Sequence, residues 1–303
     1  MPYRSFQLLP APDGQTPTVH CWQGEVPVRG VVVIAHGMGE HALRYAPLAL
    51  RLNAEGYVVY ANDHRGHGQT VQDRSQLGDY GPAGWQGLID DERALIERVR
   101  EEHKVPVLLL GHSMGSMVVQ HFVTEASDLL DGAALSGTTA VDVMAAATSQ
   151  NEQSEEGTDL FATFNAAFEP VRTESDWLSR DPEQVDLYVE DPLCGFTVSD
   201  ASIASLMEAG VAYSSETATN AIRKDLPIYL FSGEADPVGL GGALVSRVAE
   251  RYRDAGVSDV TLKLYPDARH EVFNETNRAE VETDFIAWAN RVRESSETKG
   301  ALS

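Results

Sequence analysis

A serine flanked by two glycines stands where an apolar segment passes into a helical one. Residues 105–110 are apolar and strand-like, and they continue into Gly111-His112-Ser113-Met114-Gly115 and then Met117-Val118-Val119. This G-x-S-x-G pattern between a strand and a helix is typical of a nucleophilic serine, because the glycines permit the strained turn that exposes the hydroxyl. The pattern predicts that Ser113 attacks acyl groups.

Acyl transfer by a serine requires a histidine base and a carboxylate that orients the histidine. Two later strand-like segments lead into such residues: 227–231 precedes Asp236, and 260–265 precedes His270. The chain order and the position after a strand agree with Asp236 as the acid. Glu234 and Asp267 are neighbouring carboxylates that could be mistaken for it, but loop carboxylates are normally just solvated, and Asp236 is favoured over Glu234. The sequence therefore predicts the triad Ser113, Asp236 and His270.

The same chemistry needs backbone N–H groups that stabilise the developing oxyanion. Met114 N–H is one candidate, because it begins the helix after the serine. The second donor is expected in the loop after the apolar segment 30–35, which reads His36-Gly37-Met38-Gly39-Glu40-His41. Met38 N–H is the candidate there. The alternative is an ordinary glycine turn.

The other histidines receive no catalytic role from the sequence. His36 follows an apolar strand and is expected to bond the local backbone. His64 and His67 lie in the glycine-rich turn of residues 63–68, which could resemble a metal site. No convergent set of carboxylates and histidines accompanies them, and a serine hydrolase needs no metal. We therefore expect no metal and no cofactor.

Bulk composition excludes several classes of function. The 303 residues include 46 acidic and 23 basic side chains, a formal net charge of −23, which disfavours nucleic acids and anionic lipids as partners. The longest apolar runs are strand-sized, far shorter than a membrane span, and residues 1–4 do not begin a secretory signal. With only Cys21 and Cys194, expected to be unpaired, the sequence predicts a cytoplasmic protein without integral membrane association.

Strand-like and helical segments alternate along most of the chain. Strands are expected at 30–35, 57–61, 105–110, 132–136, 227–231 and 260–265, and helices at 45–55, 85–100 and 277–293. This alternation predicts an α/β fold with a mostly parallel sheet covered by helices on both faces. Residues 4–9 and 16–22 are expected to form an antiparallel edge.

The alternation stops between residues 137 and 225. Residues 150–200 contain thirteen acidic and two basic side chains, about half of the excess negative charge. We interpret 137–225 as a helical lid inserted into a core of residues 1–136 and 226–303. Within it, Leu160, Phe161, Phe164 and Phe168 are predicted to share one helical face and to form an acyl pocket. The alternative, that this stripe fastens the lid to the core, stays open.

Several motifs together resemble one family. They are the loop 36–41 followed by Arg44-Tyr45, the turn 63–68, the serine pentapeptide 111–115, Ser179-Arg180-Asp181-Pro182, Asp191-Pro192-Leu193, residues 233–238 and Arg269-His270-Glu271. As a set they resemble the monoacylglycerol lipase and lysophospholipase family of α/β-hydrolases, among the serine aminopeptidase S33-like hydrolases. The resemblance implies an α/β-hydrolase fold and esterase chemistry on acylglycerols under a cap.

The expected activity is therefore two-step hydrolysis of a small-molecule ester, most specifically a monoacylglycerol. The same triad could serve a lysophospholipase, a general carboxylesterase, a thioesterase or a carbon–carbon hydrolase. An α/β-hydrolase fold can also be a non-catalytic binding protein. The presence of Ser113, Asp236 and His270 disfavours that alternative. Acyl length, alcohol and oligomeric state stay open.

Overall fold

The computed structural model describes residues 3–150 and 160–301, and within them eight strands form one sheet. The strands are β1 (Tyr3–Gln7), β2 (Thr18–Trp22), β3 (Gly30–Ala35), β4 (Tyr57–Asn62), β5 (Val107–His112), β6 (Gly132–Ser136), β7 (Ile228–Gly233) and β8 (Val260–Tyr265). Pro106 lacks the N–H that a paired strand donates, which explains why β5 begins at Val107 and not at residue 105.

The sheet has the order β1-β2-β4-β3-β5-β6-β7-β8. β1 and β2 are antiparallel, as is β2 with β4, while all pairs from β4 to β8 are parallel. The mostly parallel sheet and the antiparallel edge predicted from the sequence are thus confirmed. Because parallel strands end at one edge, the loops after β3, β5, β7 and β8 meet there.

Ten α-helices occur in the described residues. They are α1 (Ala46–Ala54), α2 (Gly84–Glu102), α3 (Met114–Ala126), α4 (Val141–Gln150), α5 (Leu160–Asn165), α6 (Pro182–Glu190), α7 (Asp200–Tyr213), α8 (Glu216–Asn220), α9 (Ala243–Asp254) and α10 (Arg278–Ala301). The expected end of the last helix at 293 is wrong. Residues 294–299 contain neither proline nor glycine, so nothing in them ends α10.

Side-chain alternation along the central strands explains how the sheet is covered on both faces. In β3, Val31 and Val33 pack in one apolar cluster with residues of α2, α3 and α9. Val32 and Ile34 point the other way, into a second cluster with α1 and α10. Both faces therefore require apolar residues, which is why the central strands are continuous apolar runs.

The segment between β6 and β7 contains helices α4 to α8 and, in its described residues 137–150 and 160–225, no strand. Helix α7 packs against α2, α3 and α4. Because β6 is parallel to β5, this segment leaves the sheet at the edge where Ser113 follows β5. Among residues 3–150 and 160–301, no helix is long and apolar enough to span a bilayer.

Candidate active site

The turn at Ser113 has the strained geometry that its sequence predicts. Ser113 lies between β5 and α3 with φ of 51° and ψ of −119°, a region that residues other than glycine rarely occupy. Its N–H donates to the Ser136 carbonyl at 2.9 Å, which helps to hold the turn. A Cβ at Gly111 would lie 2.1 Å from the Gly115 carbonyl oxygen, so the flanking glycines permit the close approach of strand and helix.

The loops after β7 and β8 bring Asp236 and His270 into contact. His270 Nδ1 lies 3.0 Å from both carboxylate oxygens of Asp236, and both side chains are buried. Asp236 also accepts hydrogen bonds from Ser232 Oγ at 2.7 Å and Val238 N–H at 2.9 Å. Glu234, the alternative acid, is exposed. The Asp236 carboxylate is thus held in its orientation by hydrogen bonds other than the one to His270.

Electrostatics at this pair favour an ionised carboxylate beside a basic imidazole. Burial would raise the pKa of Asp236, but His270 and the hydrogen bonds from Ser232 and Val238 lower it below its ordinary value. Burial would likewise lower the pKa of His270, but Asp236 raises it above its ordinary value. Nδ1–H donation to Asp236 would leave Nε2 as the proton acceptor.

Two aromatic rings contact the His270 ring. The ring centroids of His112 and Trp177 lie 4.8 Å and 5.0 Å from that of His270. Burial and then His270 lower the pKa of His112 to about 4, so its ring is neutral at pH 7. Trp177 belongs to the inserted segment and also lines a cavity with Ser113. The structure therefore brings the serine, the histidine and the inserted segment to one place.

Met38 and Met114, whose backbone N–H groups are the predicted oxyanion donors, line the same cavity as Ser113. Among the described residues, neither Met38 N–H nor Met114 N–H donates a hydrogen bond. Backbone N–H groups without a partner are rare in folded proteins, and these two are free to donate to an oxyanion. The loop that carries Met38 is fixed by Glu40, whose Oε1 accepts from Gly37 N–H at 2.5 Å and from Tyr45 OH at 2.7 Å.

A buried ion pair supports this loop, and the sequence motifs alone assigned it no role. Arg44 donates to both carboxylate oxygens of Glu271 at 2.6 Å and 2.7 Å, and to Glu40 Oε2 at 2.6 Å. Burial would raise the pKa of Glu271, but Arg44 lowers it to about 2. The guanidinium also lies 4.9 Å from the ring centroid of Tyr188 in α6. Glu271 follows His270 directly, so Arg44 connects the loop that carries Met38 to the loop that carries His270.

Three buried histidines, His36, His64 and His67, hold the loop that carries Met38. His36 Nδ1–H donates to the Gly37 carbonyl at 2.7 Å, the local backbone bond expected for it. His36 Nε2 accepts from His64 N–H at 3.0 Å, and His67 Nε2 accepts from Gly39 N–H at 3.3 Å. Burial lowers the pKa of His67 to about 4, so its ring is a neutral acceptor at pH 7. The turn of residues 63–68 thus supports the loop that carries Met38.

The cavity beside Ser113 has a volume of about 80 Å³ and an almost entirely apolar lining. Its lining residues are Met38, Ser113, Met114, Met117, Val141, Met144, Phe164, Trp177, Ile203, Leu206, Met207 and Val238. Most of the apolar side chains come from α3, α4 and α7 and from the segment around Trp177. An apolar lining around a nucleophile fits an acyl chain.

Of the four predicted acyl-pocket residues, the structure describes the side chains of Phe164 and Phe168, and these two do not lie on one α-helix. Phe164 lines the cavity, with its ring centroid 5.0 Å from that of Trp177. Helix α5 ends at Asn165, so Phe168 lies beyond it, outside the cavity lining and 4.1 Å from the Arg269 guanidinium. Leu160 and Phe161 begin α5, but their side chains lie outside the described part of the structure.

One group of metal-ligand types occurs among the described residues: His41, Asp191 and Cys194. His41 Nε2 lies 2.9 Å from Asp191 Oδ2, so each of these two already has a partner. Burial raises the pKa of the Cys194 thiol, which keeps it protonated. The group therefore has a structural explanation as a contact between the loop after β3 and the inserted segment. Cys21 and Cys194 are both free, as expected.

Comparison with known proteins gives consistent similarities. A family model described as serine aminopeptidase, S33, matches residues 26–277. A monoacylglycerol lipase of Mycolicibacterium smegmatis is 31% identical over 88% of this chain and 90% of that protein. A mouse monoglyceride lipase is 28% identical over 91% of this chain and 86% of that protein. The structure of a thermostable carboxyl esterase from Bacillus coagulans, in complex with glycerol, superposes with a TM-score of 0.84 at 29% identity, covering 96% of this chain and 99% of that one.

Proposed function

Because the chain belongs to the α/β-hydrolase family described as serine aminopeptidase, S33, we propose that it hydrolyses carboxylic esters, with monoacylglycerols as its substrate class. One observation carries the proposal: a strained Ser113 lines an apolar cavity together with Trp177, whose ring contacts His270 of the buried His270–Asp236 pair. Relatives named monoacylglycerol lipase, similar over most of both chains, support the choice of acyl ester.

The proposed mechanism uses only residues of this chain. His270 removes the Ser113 proton as Oγ attacks the ester carbonyl, and Met38 N–H and Met114 N–H stabilise the oxyanion. Protonated His270, stabilised by Asp236, then gives its proton to the leaving alcohol. Water repeats the sequence on the acyl-enzyme and releases the carboxylic acid. No cofactor takes part in these steps.

We further propose that residues 137–225 act as a lid over this site. Trp177 contacts His270. The segment also supplies more than half of the cavity lining, namely Val141, Met144, Phe164, Trp177, Ile203, Leu206 and Met207. The insertion thus provides much of the surface that an acyl chain would contact. An acyl substrate buried between lid and core would be shielded from water during the chemical step.

The cavity also distinguishes esters from the peptides that the family's description names. A peptide with a free α-amine needs a carboxylate or carbonyl partner for its ammonium group. Among the described residues that line the cavity, none is charged. An apolar acyl group can be buried against such a lining without leaving any charge unpaired. The acidic residues between 150 and 200 disfavour lysophospholipids with anionic head groups.

The test is active-site labelling combined with a substrate panel. A fluorophosphonate probe should modify Ser113, as located by peptide mapping, and Ser113→Ala should lose both labelling and about a millionfold in ester turnover while it keeps its melting temperature. Monoacylglycerol should be hydrolysed faster than an anionic lysophospholipid or an aminoacyl p-nitroanilide. Labelling elsewhere, or more than a few per cent of turnover in Ser113→Ala, would refute the assignment of the nucleophile.

A further inference from the structure

The methionines of this chain are concentrated at one place. The sequence contains six, and five of them, Met38, Met114, Met117, Met144 and Met207, line the cavity beside Ser113. The sixth is Met1. Methionine therefore supplies five of the twelve lining residues, although it is rare elsewhere in the chain.

These side chains form both walls of the cavity. Met38 follows β3, and Met114 and Met117 lie on α3, so three belong to the core. Met144 on α4 and Met207 on α7 belong to the inserted segment. An acyl chain between core and insertion would thus contact methionine on both sides.

Two of the five sulfurs are held by hydroxyl groups. Tyr80 OH donates to Met114 Sδ at 3.0 Å, and Thr139 Oγ1 donates to Met144 Sδ at 3.3 Å. No such bond to Met38, Met117 or Met207 occurs among the described residues, and all three side chains are half-buried. Met38 belongs to a loop that is held by Glu40 and His67. Met117 and Met207 are therefore the helical cavity methionines best able to change rotamer, one in the core and one in the inserted segment.

The small size of the cavity makes rotation of these side chains relevant to acyl binding. At about 80 Å³ it is much smaller than ligand-binding pockets, which are typically about 300–1,000 Å³. A longer acyl chain enters only if the wall moves. Val141, Ile203 and Val238 are β-branched and stiff at χ1. Methionine is unbranched, has three rotatable bonds and fills irregular spaces at little cost.

We propose that Met117 and Met207 are specificity-determining residues whose rotation adapts the acyl site to chains of different length. The substrate class is then esters of a broad range of acyl lengths rather than of one fitted length. This inference rests on the proposed ester hydrolase function.

The experiment replaces flexible methionine side chains by branched leucine side chains of similar apolar volume. In Met117→Leu/Met207→Leu, both side chains become branched. A matched control is the parent protein with norleucine incorporated for methionine throughout, which keeps unbranched chains and removes only sulfur. Each protein is assayed for kcat/KM on p-nitrophenyl esters from acetate to laurate, with the melting temperature as a check on folding.

The leucine variant should lose about tenfold in kcat/KM on the longest esters relative to acetate, because about two methylene contacts are lost. The norleucine protein should keep the parent profile within about threefold. A leucine variant with the parent profile, or a norleucine protein that loses long chains equally, overturns the inference. If the double variant does not fold, the two single variants give the same comparison.

Fluorophosphonate labelling separates this inference from the proposed function. A parent protein that is labelled at Ser113 and hydrolyses acetate, while the leucine variant keeps the full chain-length profile, overturns the methionine role alone. A parent protein that is neither labelled nor active refutes the ester hydrolase function itself.

Discussion

Phe164→Ala should reduce hydrolysis of long-chain esters selectively. The Phe164 ring lines the cavity beside Ser113 and contacts Trp177, with ring centroids 5.0 Å apart. If the ring covers two or three methylenes of a bound acyl chain, its loss removes about 2 kcal/mol at about 0.8 kcal/mol for each methylene. That corresponds to roughly 30-fold in kcat/KM. An acetyl group reaches none of this surface, so p-nitrophenyl acetate should be hydrolysed at nearly the parent rate.

Phe168→Ala is the matched control for this prediction. Phe168 lies three residues after the end of α5, outside the cavity lining, with its ring 4.1 Å from the Arg269 guanidinium. Its removal should lower the melting temperature, because a cation–π contact worth about 0.5–1 kcal/mol is lost. The effect on kcat/KM should be the same for acetate and for long-chain monoacylglycerol.

The assay measures kcat/KM on both esters, together with the melting temperature, for each variant. Equal losses on both esters in Phe164→Ala would mean that the ring only supports Trp177 against His270, and would refute the acyl-binding role. A chain-length dependence in Phe168→Ala would refute our placement of that residue outside the acyl site.

Three further predictions test the charged groups. Asp236→Asn should lower turnover by about 10⁴ at neutral pH, whereas the exposed Glu234→Gln should cost little; the reverse order in a p-nitrophenyl ester assay would identify Glu234 as the acid. Burial lowers the pKa of His270, but Asp236 raises it by more, so the net pKa lies above the ordinary value of about 6.5. We therefore expect kcat/KM to fall as the pH drops through a value above about 6.5, and an acid limb below 6.5 in the pH–rate profile would contradict this. Burial opposes ionisation of Glu271, but Arg44 lowers its pKa to about 2, so its charge should contribute roughly 3 kcal/mol to stability above pH 4.5 and lose this contribution as the pH falls toward 2. Urea unfolding should therefore show that Glu271→Gln is less stable at pH 7 and less sensitive to acid, and an unchanged acid dependence would count against the ion pair.

Local patterns in the sequence predicted the sheet and the loops at its carboxyl edge. Buried strands such as β3 and β5 are continuous apolar runs, because both of their faces are covered. The G-x-S-x-G turn predicted the strain at Ser113 because only small residues fit beside it. Asp236 was predicted as the acid from its position after a strand and between Ser113 and His270 in the chain, and the structure places its carboxylate against His270.

The supporting network was not predicted, because its members are far apart in the sequence. Arg44 and Glu271 are 227 positions apart, and neither carries a local pattern that indicates the other. The two loops meet because β3 and β8 belong to one sheet whose parallel strands end at the same edge. The sequence motifs include Arg44 and Glu271, but only the tertiary structure shows that the two side chains form an ion pair.

Within the inserted segment, the sequence determined helix content and charge, while the tertiary structure decided which side chains face the cavity. Helical spacing predicted one face for Phe164 and Phe168, but α5 ends between them and turns Phe168 toward Arg269. The five cavity methionines range from Met38 to Met207 and share no periodicity. Periodicity predicts only which residues share a face of one element, whereas the cavity is formed by side chains from four helices and the loops between them, brought together by tertiary packing.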